Sequence, residues 1–172
     1  MSVEQMYAMV VAKWVEVTDQ IAEADWDKPT PCDGWCVRDV VEHAHGWQTT
    51  GGNAFGAELE QGADWSTIQA AVSSQFSDPA NFEGSVEAFG GMSKQAVAGT
   101  MIGDLLVHSW DIARAIGADD TLPAEACAST HMGLQRMPAE VLRSENMFGP
   151  AIEVPADASD QDKLLGFVGR SV

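Results

Sequence analysis

One long helical pattern between Ser93 and Gly117 constrains the fold of this chain more than any other stretch. Ser93 stands where a helix N-cap is expected, and Gly117 supplies the left-handed residue that stops a helix. Between them, Met101, Leu105, Ile112 and Ala115 recur at helical spacing, so their face turns inward. Asp104 and His108 share that face, one turn above the other. A buried ionised carboxylate is costly unless it is paired or bound to a metal. Whatever fold contains this helix must therefore bring a partner to Asp104.

A second helix, beginning near Val37, offers one. Val40, Val41, Ala44 and Trp47 mark its apolar side, and His43 lies among them. His43, Asp104 and His108 are two imidazoles and a carboxylate on two packed helices. That is a three-ligand metal site with a position left for water or substrate. The plainer alternative makes His43 and His108 satisfied core histidines and Asp104 a cap or an arginine partner. Spacing alone leaves both open.

The rest of the chain reads as further helices. Residues 2–23 form an amphipathic helix with Ser2 and Gln5 as a capping box. DWDKPTPCDGW is a tight connector, with Trp26 and Trp35 plugging a bundle end. Gly51 and Gly52 weaken or kink the second helix before it continues to Leu59. Ser66 opens a third helix that ends near Asp78-Pro79, and residues 81–92 are irregular or briefly extended. Leu122-Pro123 opens another helix, kinked or broken at Pro138, which runs to Leu142. FGPAIEVPADAS is extended, and Ser159 with Asp162 caps a short final helix. These patterns predict an all-α, up-and-down four-helix bundle with short extra helices and an extended C-terminal segment. The whole, residues 1–172, reads as a single domain.

Charge narrows the partners. Nine Lys and Arg stand against 26 Asp and Glu, a net charge of −17. Phosphate binding needs a basic surface, so the charge argues against nucleic acid and equally disfavours an anionic membrane face. No apolar run approaches the ~20 residues of a membrane span, and the N-terminus lacks a signal-peptide pattern. Three cysteines suit a reducing cytoplasm better than a disulfide scaffold. Six tryptophans and eight methionines serve equally well as core or as a homodimer face.

Secondary candidates cluster around the proposed ligands. His45, two residues after His43, faces away and reads as a rim residue, and His131 lies in a separate helix. Asp111 either accepts the far ring N–H of His108 or pairs with Arg114. Cys32 and Cys36 form C-x3-C without a second pair, so a structural zinc knuckle is disfavoured. They are either a buried inert pair or, for Cys36 at a helix N-terminus, a reactive thiol. Cys127 reads as core. Arg38, Lys94 and Arg114 are the cations in the relevant helices. No phosphate loop, G-x-S-x-G or H-E-x-x-H is present.

PTPCDGWCVRDVVEHAHGW, DLLVHSWDIARAIG and FGPAIEVPADASDQDKLLGFVGR together resemble the actinobacterial metal-binding proteins related to mycothiol-dependent maleylpyruvate isomerase, within the DinB-like bundles. The resemblance implies a four-helix bundle holding a divalent metal, usually zinc, with nickel or iron as alternatives. Its ligands map onto His43, Asp104 and His108, although the isomerase begins its pair with Glu where this chain has Asp104. It further implies a low-molecular-weight thiol such as mycothiol, used on an electrophilic substrate by an S-transferase or isomerase. A non-catalytic metal-binding or stress-response module, its fourth position closed by His45 or Cys32, is the alternative.

Overall fold

The computed structural model describes residues 1–143 and 148–172, which fall into two compact units, Met1–Asp120 and Thr121–Val172. The first unit contains helices α1 (Val3–Thr18), α2 (Val37–Ala54), α3 (Trp65–Phe76) and α4 (Lys94–Ile116). Both α4 and α3 pack against α1 and α2. The four close a ring in the order α1, α4, α2, α3, a four-helix bundle. That order sets α1 opposite α2 and α3 opposite α4, so the connections over residues 19–36 and 77–93 span the bundle. The second of these holds a short antiparallel hairpin, β1 (Ser85–Val86) and β2 (Met92–Ser93), with Val86 opposite Met92. Among the described residues the fold is otherwise all-α, as the helical periodicities predict.

Local chemistry sets the helix ends. The Ser2 hydroxyl accepts the Gln5 N–H at 3.2 Å, and the Gln5 side chain accepts the Ser2 N–H at 3.0 Å. Asp64 caps α3, and Ser93 caps α4 by accepting the Ala96 N–H at 3.2 Å. Gly117, with φ +77°, ends α4. The first helix stops at Thr18, short of the expected residue 23.

Gly51 and Gly52 remain inside α2. They serve close packing: a Cβ on Gly51 would stand 2.5 Å from Met101 Sδ, and one on Gly52 would stand 2.8 Å from Val72. These glycines let α2 approach α4 and α3 closely. Between Met101 and Ala113, every residue of α4 except Asp104 is buried. The single apolar face expected from spacing is therefore a helix enclosed on several sides, by α1, by α2 and by the hairpin.

The second unit holds α5 (Ala124–Leu134), α6 (Ala139–Leu142) and α7 (Asp160–Phe167). Pro138 separates α5 from α6, where proline was expected to break a helix. α5 packs against α7. The extended segment before α7 is tied to it by the Ile152 N–H, which donates to Gly166 O at 2.8 Å. Among the described residues, no helix is long and apolar enough to cross a membrane.

Candidate metal centre

Three elements of the first unit deliver the site: α2, α4 and the connector before α2. His43 projects from α2, while Asp104 and His108 project from successive turns of α4. Asp104 Oδ1 lies 3.1 Å from His43 Nε2 and 3.5 Å from His108 Nε2. The two imidazoles meet edge to face, with ring centroids 5.1 Å apart. One donor atom from each of the three residues falls within 4.8 Å of the others. Ligand bonds of about 2 Å in tetrahedral geometry separate donor atoms by roughly 3.3 Å, close to these spacings. The second carboxylate oxygen, Asp104 Oδ2, is buried without a hydrogen-bond partner. Such an orphaned acceptor is unusual in a folded interior and is chemically suited to a cation.

Electrostatics follow from this packing. Burial opposes ionisation of Asp104, but His108 and His43 overcome it and hold the carboxyl well below the usual carboxylate range. Burial likewise opposes the imidazolium of His108. Asp104, together with hydrogen bonds to Asp111 and Cys32, outweighs it and holds that ring well above the ordinary histidine range. Asp111 is fully buried, and its Oδ2 lies 2.9 Å from His108 Nδ1. Of the two partners open to Asp111, the structure gives it His108; Arg114 pairs with Asp120 at 3.1 Å instead. The Nδ1 side of His108 thus belongs to Asp111, and its Nε2 faces Asp104.

The connector adds two residues. Thr30 N–H donates to Trp35 O, Trp35 N–H donates to Cys32 O, and Gly34 at φ +76° turns the chain between them. This fold-back lays the Trp35 ring beside His43, at 4.9 Å between centroids. It also stacks Trp35 on His108 at 6.1 Å and 18°. The turn also brings the Cys32 thiol to Asp111 Oδ2 at 3.2 Å. Sequence reasoning placed Trp35 at the bundle end but missed its contact with both imidazoles. The only signal was its position one residue past Gly34, in the connector leading into the His43 helix.

Other candidates stand elsewhere. His45 stacks on Trp65 at 5.2 Å and approaches Trp14, so it faces α1 and α3. Burial lowers its pKa. His131 lies against Phe167 in the second unit. Cys36 gives both its N–H and its thiol to Asp39, so the carboxylate does the capping that a thiol does poorly. Cys127 is buried, and burial pushes its thiol up to about 12. Arg38 lies over Trp26, Lys94 over Phe55, and Arg114 over Trp110.

Residues 8–88 match the mycothiol maleylpyruvate isomerase N-terminal domain. The segment that resembles this family includes Cys32, Trp35 and His43, while Asp104 and His108 lie beyond it. Two uncharacterized proteins of Mycobacterium tuberculosis, from strains CDC 1551 / Oshkosh and ATCC 25618 / H37Rv, are each 25% identical over 153 residues. The alignment covers 84% of this chain and 84% of each relative. No solved structure matches the chain.

Proposed function

We propose that His43, Asp104 and His108 hold one divalent cation, most simply zinc, with nickel or iron as alternatives. On this reading the protein is a metal-dependent S-transferase or isomerase. It uses a low-molecular-weight thiol such as mycothiol on an electrophilic small molecule. One observation carries it: three donor atoms from two helices converge, and Asp104 keeps a buried oxygen without a partner. The match of residues 8–88 to a mycothiol-dependent family supports the choice of thiol.

When bound, such a cation lowers the pKa of a coordinated thiol or water and so supplies a nucleophile near neutral pH. The chain's own residues prepare the place. Asp111 accepts the His108 Nδ1–H and so presents Nε2 to the site. Trp35 lays an apolar ring beside both imidazoles and lowers the local dielectric. His43 is about one-third exposed, whereas His108 is buried, so a small ligand approaches from the His43 side.

Metal analysis of the purified protein is the first test. The wild type is expected to hold about one equivalent of a divalent ion, and His43→Ala and His108→Ala to lose it. A wild type that binds no dication removes the whole reading. A thiol-conjugation assay with an electrophilic probe, run with mycothiol and other cell thiols, is the second. Binding without thiol-dependent turnover leaves only a non-catalytic metal module.

A further inference from the structure

His108 has a second face, and a second set of donors meets it there. Cys32 Sγ lies 3.8 Å from His108 Nδ1 and 3.2 Å from Asp111 Oδ2, and that oxygen lies 2.9 Å from the same nitrogen. All three atoms fall within 4.8 Å of one another. Bonds of about 2.3 Å to sulfur and about 2.0 Å to nitrogen or oxygen place tetrahedral donors roughly 3.3–3.5 Å apart. The observed spacings need to move by only a few tenths of an ångström.

We propose that Cys32, His108 and Asp111 form a second cation site, selective for thiophilic dications. Three features argue for it. The donor set is thiolate, imidazole and carboxylate, and the soft sulfur favours zinc-like ions over magnesium or calcium. Two of the three donors are anionic when they bind a metal, which suits a divalent cation. The sulfur is positioned beforehand: Cys32 N–H donates to Thr30 Oγ1, and Cys32 O accepts the Trp35 N–H. Cys32 itself is only half-buried, which leaves an ion a path inward.

Binding involves no redox change. The Cys32 thiol proton and the His108 Nδ1 proton pass to solvent, and the freed lone pairs go to the ion. Neutral His108 then carries its remaining proton on Nε2, where it donates to Asp104 Oδ1. One ring therefore serves one donor set at a time. This exclusion rests on the reading of His43, Asp104 and His108 as ligands; the second site itself does not.

The test is a titration of the metal-free, full-length protein with cadmium, reading the ultraviolet thiolate-to-cadmium charge-transfer band. The wild type is expected to develop the band and saturate at about one equivalent. Cys32→Ser loses it while keeping its helical circular dichroism, and Cys36→Ser keeps it. Asp111→Asn shifts the midpoint to at least about tenfold higher cadmium. His43→Ala, which disables only the first set, retains the band. A wild type without the band overturns the proposal, as does a band that survives in Cys32→Ser or vanishes in His43→Ala. The wild-type and Cys36→Ser titrations keep the test decisive if Cys32→Ser fails to fold.

Discussion

Asp111 does more than fill space beneath the site. Its carboxylate is fully buried, and it holds the Nδ1 side of His108, so turning the ring breaks a buried charge-assisted hydrogen bond. In a Cys32→Ser background, where the second donor set lacks its thiolate, Asp111→Asn is therefore expected to weaken zinc binding about 10- to 100-fold, measured by competition with a chromophoric chelator. Equal affinity in the two proteins would deny Asp111 an orienting role. Much of this arrangement was legible beforehand. Four-residue spacing on an inward face singles out Asp104 and His108, and apolar neighbours single out His43. The choice of Asp111 between His108 and Arg114 was not legible. It depends on where the chain turns after α4, which brings Asp120 within 3.1 Å of Arg114. The approach of Cys32 to His108 was hidden for a similar reason: 76 residues separate them, and only the Gly34 turn joins them.

Helix packing places the ligands, and glycine governs how closely the helices meet. In isolation, Gly51→Ala would favour α2 by up to ~1 kcal/mol, since alanine is the better helix former. Here the new methyl would run into the side chain of Met101, which is fully buried and would have to shift within the core. Overpacking of this kind costs about 1–3 kcal/mol, so the substitution is expected to destabilise. Chemical denaturation checks the sign, and a cycle with Met101→Ala measures the coupling between the two side chains.

The cap of α3 supplies a pH test. Asp64 accepts from Ser66, Thr67 N–H and the Thr67 hydroxyl, and these bonds lower its carboxyl to about 2. A folded value below the unfolded one, about 4, means the contribution is complete above that unfolded value. It fades as pH falls through about 2. The difference in melting temperature between wild type and Asp64→Ala is expected to stay constant above about pH 5. It then narrows steadily on acidification. Sequence periodicity anticipated these helices and the caps at Ser2, Ser93 and Ser159, but it opened the third helix at Ser66 and did not single out Asp64. It did not anticipate the hairpin of β1 and β2, whose strands are too short to leave an alternating pattern.

Taken whole, the protein combines a strongly acidic composition with donors that converge inside its first unit. A net charge of −17 repels itself and favours binding of cations generally, so specific and diffuse binding must be separated by adding salt. An ion bound only by the native state adds RT ln(1 + [L]/Kd), about 2.7 kcal/mol at a hundredfold excess over Kd. Loading the protein with zinc and then stripping it with a chelator is therefore expected to lower the melting temperature. An unchanged melt after verified removal would mean that the ion does not hold the helices together. Two compact units could not be read from the sequence, because the helical patterns run from one to the other without a composition shift near Asp120.

Burial along α4 has a kinetic corollary. Amides in such an enclosed helix open only when most of the protein opens, so those between Met101 and Ala113 should be among the slowest to take up deuterium. Asp104 and His108 ride on that slow-exchanging cylinder, whereas His43 sits on a more solvated neighbour. Partial unfolding would peel away one imidazole first and leave the carboxylate–imidazole pair of α4 still in register, a ready template for reassembly.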